Sequence, residues 1–390
     1  MAEGAVVRGM FLGKGRINDV TIRDGKVTDI SPARRGGGVI GSKTSIIMPS
    51  LFDIQVNGAA GASLQGPDVT VDDVRKVSDY LAASGVSHWV PTVITASLND
   101  MEHSCRILAE AMADKTLGRA IPGIHLEGPC ISPVDGPRGA HPKAHVRKPN
   151  LRDFDRLEKA AQGKVLYTTV APELERAPEY IAALTKRGVA VSLGHHNGSA
   201  EDVERAADAG AVLCTHLGNG LASQLPRHEN PLWPQLAEDR LKASLIADLH
   251  HLPPPVLKTF VRAKAPANII LTSDCVHIAG LPPDNYELAG QEVSLNPDGR
   301  ICLSGTDLLA GSSLMLLQGV VNAVRVTDMS LQQAYASAST IPAKLFGLKH
   351  RFQLPSVGKR PNLIVFELDT TGVEWELQVH GVFIDGERRG

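Results

Sequence analysis

The feature that most constrains the fold of this chain is a repeated alternation of short apolar, β-rich runs with helical patterns. Eight such runs begin near Ile46, His88, Ile121, Val165, Val189, Ala211, Ala243 and Asn268. Helical patterns separate most of them, at residues 71–84, 98–114, 175–186, 200–209 and 255–264. Strands that alternate with helices predict a parallel sheet, and eight such units predict its closure. The expected fold is therefore an α/β (β/α)8 TIM barrel.

Both ends of the chain have a different pattern, made of short strands and tight turns. Residues 19–23 and 26–30 are strand-like and flank Asp24-Gly25, a strong hairpin signal. Residues 362–366 and 378–384 repeat this style, with a turn at Asp385-Gly386. We therefore expect residues 1–47 and 352–390 to form one small β-sandwich domain, and residues 48–351 to form the barrel.

Composition excludes several classes of protein. The chain has 390 residues with 43% hydrophobic and 21% charged content, which is ordinary for a globular protein. A net charge of −2 and a pI near 6.7 give no reason to expect binding to nucleic acid or to an anionic membrane. No secretory signal or membrane span is apparent. The five cysteines form no CxxC pair and are odd in number, so we expect no disulfide framework and a cytoplasmic protein.

Chemically versatile side chains follow several of the predicted strands. Glu127, His195, His216 and Asp274 each come at the end of an apolar run. The carboxyl ends of all strands of a (β/α)8 barrel face one side, where active sites are built. One glutamate, two histidines and an aspartate at that rim could bind a divalent cation and deprotonate its water. The pattern predicts a metal-dependent hydrolase.

Neighbouring histidines leave alternatives that the sequence does not decide. His125 lies two residues before Glu127, so both side chains share a face of the strand. Of the adjacent His195 and His196, at most one is expected to point into the barrel mouth. Asp274 could instead cap a following helix, but no clear helical pattern begins directly after it. We expect His125 to be a core or supporting residue rather than a ligand.

A set of motifs in consistent order extends the pattern from about residue 46 to 325. The motifs occupy residues 48–58, 125–129, 139–141, 194–195, 215–219, 246–251, 279–282, 286–291 and 309–312, with Asp274 between them. Together they resemble the amidohydrolase superfamily, and within it the N-acetylglucosamine-6-phosphate deacetylase family. The resemblance implies hydrolysis of the N-acetyl amide of an amino sugar, with N-acetylglucosamine 6-phosphate as the expected substrate and glucosamine 6-phosphate and acetate as products.

The resemblance also implies a site with one metal ion per subunit. Many amidohydrolases carry His-x-His on the first strand and hold two metals, whereas this chain has the neutral amides Gln55 and Asn57 there. The implied ligands are Glu127, His195 and His216. Zinc is the first expectation, with Fe2+, Co2+ or Mn2+ as substitutes.

Catalytic and substrate-binding roles follow from the same resemblance. Asp274 would accept a proton from water and return it to the leaving amine, while His141 would help to polarise the carbonyl group. The implied substrate-binding residues are Asn219, Gly220, Arg227, His251 and Gln55. A homodimer is also implied, with the long loop 221–240 packed against the partner subunit and closing over the sugar.

Departures from the family pattern concentrate around the substrate. The family usually has Arg-Glu-Pro-Gly where this chain has Arg227-His228-Glu229-Asn230, and Asn-Ala-Met where it has Asn219-Gly220-Leu221. The alternatives are a deacetylase of an unphosphorylated or differently substituted N-acyl amino sugar, an enzyme that cleaves another amide, including a cyclic one, and a non-catalytic binding protein derived from the barrel.

Overall fold

The computed structural model of this protein describes residues 4–34, 36–288, 291–372 and 375–389. Its α-helices are α1 Val71–Ala83, α2 Leu98–Ala111, α3 Leu117–Ala120, α4 Leu151–Ala160, α5 Ala177–Lys186, α6 Ala200–Asp208, α7 Leu232–Ala237, α8 Pro254–Lys264, α9 Leu316–Val326, α10 Leu331–Ser337 and α11 Thr340–Leu345. Its strands are β1 Ala5–Phe11, β2 Ile17–Arg23, β3 Lys26–Pro32, β4 Ile40–Pro49, β5 Leu51–Val56, β6 Gly58–Ala59, β7 Ala62–Ser63, β8 Val86–Ile94, β9 Ile124–Glu127, β10 Val165–Val170, β11 Ala190–Leu193, β12 Leu213–Cys214, β13 Lys242–Ile246, β14 Ile269–Thr272, β15 Asn285–Leu288, β16 Gln291–Leu295, β17 Arg300–Leu303, β18 Leu309–Ser312, β19 Leu363–Asp369, β20 Glu376–Ile384 and β21 Glu387–Arg388.

Eight parallel strands form the barrel, in the order β5-β8-β9-β10-β11-β12-β13-β14. Backbone hydrogen bonds close it, because the Asp274 N–H donates to the Gln55 carbonyl at 3.0 Å and the Asn57 N–H donates to the Cys275 carbonyl at 2.8 Å. The predicted barrel is confirmed. Its first strand begins at Leu51 rather than near Ile46, because residues 46–49 pair with β19 of a separate sheet.

The barrel strands are buried on both faces. Every residue of β5, from Leu51 to Val56, is buried, and so is every residue of β9. In the sequence such strands appear as apolar runs, because helices cover the outer face of the barrel and side chains fill its interior. Several helices begin at side-chain caps; α1, for example, follows a capping box of Thr70 and Asp73. The alternation seen in the sequence therefore has a direct physical cause.

Strands from both chain ends form one seven-stranded sheet, in the order β21-β20-β19-β4-β1-β2-β3. It has its own hydrophobic cluster, whose buried members are Val7, Phe11, Val20, Ile22, Val27, Ile47, Leu363, Val365 and Phe383. The two predicted hairpins are present as β2–β3 and β20–β21. The exact division of the chain into two domains stays a prediction.

A four-stranded antiparallel sheet, β15-β16-β17-β18, follows the last barrel strand and was not expected from the sequence. Its core contains Val293, Leu295 and Ile301, packed with Val276 and Ile278. Ala289 and Gly290, which belong to the motif at residues 286–291, lie outside the described residues. Across the described part of the chain, no helix combines the length and apolarity that crossing a bilayer requires.

The tips of the two hairpins touch, which gives a test of the terminal sheet. Asp24, Gly25, Asp385 and Gly386 have φ values of 51°, 71°, 48° and 79°, as a type I′ turn requires. A Cβ atom at Gly386 would lie 1.8 Å from the Gly25 carbonyl oxygen. We expect Gly386→Ala to lower the melting temperature, since left-handed strain of roughly 1 kcal/mol adds to this overlap.

A matched control is Gly163→Ala. Gly163 has a φ of 71° but open space around its Cβ position, so this variant carries the backbone strain alone. Thermal unfolding followed by circular dichroism should show a larger decrease for Gly386→Ala than for the control. Equal decreases would contradict the close approach of the two turns.

Candidate active site

Four side chains reach the mouth of the barrel from the ends of different strands. Glu127 is the last residue of β9, while His195, His216 and Asp274 each lie two residues beyond the end of β11, β12 and β14. The latter three share a left-handed backbone, with φ values of 51°, 29° and 50°. Such conformations are uncommon outside glycine and cluster at functional sites. The same local bend thus recurs at three strand ends.

The ligand atoms of Glu127, His195 and His216 lie close enough to share one cation. Glu127 Oε1 lies 3.0 Å from His216 Nε2 and 3.4 Å from His195 Nε2, and the two Nε2 atoms are 3.0 Å apart. Ligand atoms bound tetrahedrally to zinc at 2.0–2.1 Å are roughly 3.3 Å apart. The three separations therefore fit a small divalent cation.

Hydrogen bonding leaves the facing nitrogen of His195 available. Its Nδ1 atom donates to the Pro137 carbonyl oxygen at 3.0 Å, so the neutral ring keeps its lone pair on Nε2. The Nδ1 atom of His216 is buried and has no hydrogen-bond partner among the described residues. Both rings thus turn Nε2 toward Glu127.

Electrostatics keep Glu127 ionised. Burial raises the pKa of its carboxyl group, but the facing rings of His195 and His216, through their close contacts and their charges together, outweigh burial and hold the pKa well below its usual value. Burial lowers the pKa of His216, yet the hydrogen bond to Glu127 and the charges of Glu127 and Asp274 together outweigh burial and raise it. Since an imidazole must lose its proton to ligate a metal, protons compete with a cation here.

His141 joins the same cluster from the loop after β9. Its Nε2 atom lies 3.2 Å from His195 Nε2 and 3.9 Å from Glu127 Oε2. The ligand atoms of Glu127, His141 and His195 lie within 4.8 Å of one another. Burial, reinforced by the neighbouring His195, lowers the pKa of His141 to about 3, so the ring is neutral. We call Glu127, His141, His195 and His216 the donor cluster.

Strand β5 and the residue directly after it supply two amides to the site. Gln55 Nε2 donates to Glu127 Oε1 at 2.9 Å, and Asn57 Nδ2 donates to Asp274 Oδ1 at 2.7 Å. The sequence assigned Gln55 to the substrate and gave Asn57 no role beyond not binding metal. The alternation of side chains along a strand does indicate that both share a face, but not what they contact.

Asp274 has an unusual affinity for protons. Burial, followed by the charge of Glu127, raises the pKa of its carboxyl group to about 7, although His216, His251 and the bond from Asn57 oppose this shift. The side chain remains partly exposed at the mouth of the barrel. A group with such a pKa can both take and release a proton near neutral pH.

The neighbouring histidines are occupied elsewhere. His125 places Nδ1 3.1 Å from the Thr92 hydroxyl and Nε2 2.8 Å from the Thr169 hydroxyl, and its ring stacks on Tyr167. Both ring nitrogens therefore have partners. His196 is buried, with its Nδ1 atom accepting the Gly198 N–H at 3.1 Å. The structure thus brings His195, and neither His125 nor His196, into the donor cluster.

Among the residues expected to bind substrate, His251 and Gly220 have defined surroundings. His251 Nδ1 lies 2.6 Å from Asp248 Oδ2, which orients the ring and leaves Nε2 free of that bond. Gly220 lies against the His195 ring, because a Cβ atom there would come within 2.9 Å of His195 Nδ1. A side chain at Gly220 would displace a member of the donor cluster.

Asn219 contacts the backbone of the donor cluster, whereas Arg227 lies in an exposed loop. The Asn219 amide donates to the His216 carbonyl oxygen at 3.3 Å. Arg227 is exposed, and within the described ranges its guanidinium makes no hydrogen bond or ion pair. Its carbonyl oxygen accepts from the Trp233 indole at 3.1 Å, which joins Arg227 to helix α7 within the loop 221–240.

Comparison with known proteins identifies the family. Residues 46–389 match the family model described as "Amidohydrolase family". The N-acetylglucosamine-6-phosphate deacetylase of Homo sapiens is 32% identical over 398 aligned residues, covering 96% of this chain and 92% of that protein. The chain belongs to the amidohydrolase family, among its N-acetylglucosamine-6-phosphate deacetylases.

Two further similarities extend over nearly the whole amidohydrolase chain. The N-acetylgalactosamine-6-phosphate deacetylase of Escherichia coli O157:H7 is 28% identical, covering 97% of each protein. The crystal structure of N-acetyl-D-glucosamine-6-phosphate deacetylase from Mycobacterium smegmatis has a TM-score of 0.84 at 25% identity, covering 98% of this chain and 99% of that one. The barrel and the terminal sheet therefore belong to one shared architecture.

The donor cluster generates a prediction about metal content. Because three closely spaced ligands cannot spare one, His195→Ala and His216→Ala should each lose bound metal and activity together, and Glu127→Gln should do the same. The exposed His350 provides the control, and His350→Ala should keep both. Elemental analysis after gel filtration measures the metal. Two tightly bound equivalents in the wild-type protein would contradict the single-site expectation.

Proposed function

We propose that this amidohydrolase removes the acetyl group from N-acetylglucosamine 6-phosphate, releasing glucosamine 6-phosphate and acetate. The observation that carries the proposal is the meeting of the donor cluster with Asp274 at the barrel mouth. Hydrolysis of an amide needs an activated water, a proton acceptor and a stabilised oxyanion. The named activities of the similar human and bacterial proteins support the substrate.

The proposed metal site holds one divalent cation per subunit, with Glu127, His195 and His216 as ligands. His216 approaches Glu127 and His195 at 3.0 Å each, closer than His141 does at 3.9 Å and 3.2 Å. Zinc suits this set of two imidazoles and a carboxylate, and Fe2+, Co2+ or Mn2+ could replace it. The bound cation would supply Lewis acidity that lowers the pKa of water and polarises the amide.

The remaining steps fall to side chains of the protein. Asp274 takes the proton of the attacking water and gives it to the leaving nitrogen, which suits its pKa of about 7. His141 is neutral, so its ring can donate one N–H to the carbonyl oxygen as negative charge develops. Gln55 and Asn57, whose amides carry no charge, donate hydrogen bonds to the carboxylates of Glu127 and Asp274. In this proposal one set of side chains holds the metal, and a different side chain, Asp274, transfers the proton.

Recognition of the phosphate is proposed for His251 and Arg227, assisted by Asn219 and the backbone at Gly220. A guanidinium suits phosphate because its N–H groups match the phosphate oxygens. Arg227 is exposed, and Trp233 in the same loop is 49% exposed despite its large apolar ring. We propose that loop 221–240 packs against a second subunit in a homodimer and covers the sugar there.

N-acetylgalactosamine 6-phosphate is a second candidate substrate. The observation that favours it is the similarity to the Escherichia coli N-acetylgalactosamine-6-phosphate deacetylase, which covers 97% of both chains. The two sugars differ only in the configuration at C4, remote from the acetyl group.

The compartment we propose is the cytoplasm, in keeping with five cysteines that are all buried and unpaired.

The role of Asp274 can be tested with Asp274→Asn. The substitution keeps the size of the side chain but removes the proton acceptor, so turnover should fall by roughly 10²–10⁴-fold. Metal content should remain close to that of the wild type, because the donor cluster is intact. Acetate release and elemental analysis measure the two quantities. Near-normal turnover would show that another group transfers the proton.

The substrate can be tested by comparing acetate release from both 6-phosphates and from their unphosphorylated N-acetylhexosamines. We expect the 6-phosphate of N-acetylglucosamine to be preferred. Arg227→Ala should raise KM for it by about 10-fold or more, since a charge-assisted contact contributes roughly 1.5–3 kcal/mol. Arg325, exposed at the end of α9, gives the control variant Arg325→Ala. Unchanged KM, or a monomer in solution, would favour an unphosphorylated substrate.

A further inference from the structure

Gln55 near the end of strand β5 and Asn57 directly after that strand each face one of the two carboxylates of the site. They are two residues apart, so an extended backbone projects their side chains to the same side. Each donates one hydrogen bond to one carboxylate, Gln55 to Glu127 at 2.9 Å and Asn57 to Asp274 at 2.7 Å. The end of β5 and the residue after it thus contact both the proposed metal ligand and the proposed base.

Asn57 is the one side chain in the described ranges that forms a hydrogen bond with the Asp274 carboxylate. The backbone reinforces this pairing, because the Asn57 N–H donates to Cys275 and the Asp274 N–H donates to Gln55 where the barrel closes. Both partners are therefore anchored by the backbone hydrogen bonds that close the barrel between the ends of β5 and β14. The Asn57 Oδ1 atom is buried and unpaired there, so Asn57 uses its donor side alone on the carboxylate.

We infer that Asn57 is a positioning residue, which fixes the orientation of the Asp274 carboxylate, and that Gln55 does the corresponding work for Glu127. A carboxylate rotates easily about its last torsion, which has broad wells. A donor held on Oδ1 fixes that torsion and leaves Oδ2 as the oxygen that meets the proton. This inference rests on the proposed function, in which Asp274 transfers the proton.

An amide suits this task better than the charged or imidazole alternatives. Asparagine carries no charge at any pH near neutral and offers a good N–H donor. It is also a weak ligand for a divalent cation beside imidazole and carboxylate. Asn57 can therefore orient Asp274 without competing for either the proton or the cation. The same reasoning applies to Gln55 next to Glu127.

The first test separates the two amides by their effects. Asn57→Ala should lower kcat by about 10–100-fold, the usual effect of losing a supporting hydrogen bond, while KM, metal content and melting temperature stay near wild type. Asn57→Leu, which keeps the approximate volume, should behave alike. Gln55→Ala should instead lower metal content, because its partner is the ligand Glu127. Parallel losses of metal and melting temperature in all three variants would overturn the inference.

The second test asks whether Asn57 acts through Asp274. In a double-mutant cycle, Asn57→Ala should cause no further fall in kcat when Asp274 is already replaced by asparagine. A further 10–100-fold fall in that background would show an independent role and overturn the inference. The proposed role of Asp274 as the proton acceptor fails separately, if Asp274→Asn alone leaves turnover unchanged. A fall for Asp274→Asn with full activity in Asn57→Ala would reject only the positioning role.

Discussion

The site depends on the seam where the first and last barrel strands meet. Strand β5 and the end of β14 are joined by the bonds from Asp274 to Gln55 and from Asn57 to Cys275. A buried carboxylate strengthens the seam, because Asp53 accepts the Thr272 hydroxyl at 2.7 Å and the Ser273 N–H at 3.1 Å. Without this closure, Asn57 and Asp274, which are 217 residues apart in the chain, would not meet.

A second constraint is the charge of Glu127 inside the barrel. Removing a carboxylate from water costs several kcal/mol unless charges or hydrogen bonds offset it. Here His195, His216 and Gln55 surround it. Two Nε2 atoms at 3.0 Å suit either a shared proton or a shared cation. The arrangement that stabilises the buried charge is therefore also the one that suits a divalent metal.

The terminal sheet and the β15–β18 sheet lie beside the strands that form the site. The terminal sheet leads almost directly into the barrel, since β4 ends at Pro49 and β5 begins at Leu51. The β15–β18 sheet begins after Asp274, and Val276 packs into its core. Both sheets thus border strands that carry site residues. The loop with Arg227 instead lies exposed, where a partner or a substrate could reach it.

The sequence by itself determined the barrel, the association of strands from both chain ends, and the strand ends that carry the site residues. These signals are local, because apolar periodicity, turn residues and the residue after each strand are read over a few positions. The small β15–β18 sheet escaped prediction because its short, half-exposed strands lack a strong apolar pattern. The start of the first barrel strand was misplaced because the last residues of β4, 46–49, form one nearly continuous apolar run with β5.

Tertiary structure alone decided which polar atoms meet. Thr92 and Thr169 form hydrogen bonds with the two ring nitrogens of His125. No sequence pattern near His125 indicates that either hydroxyl group would be its partner. The family resemblance placed His141 at the site, but its 3.2 Å approach to His195 and the pairing of Asn57 with Asp274 join segments far apart in the chain. Strand ends mark where chemistry can occur, whereas the partner of each side chain depends on neighbouring strands and loops. Only closure of the barrel brings those neighbours together.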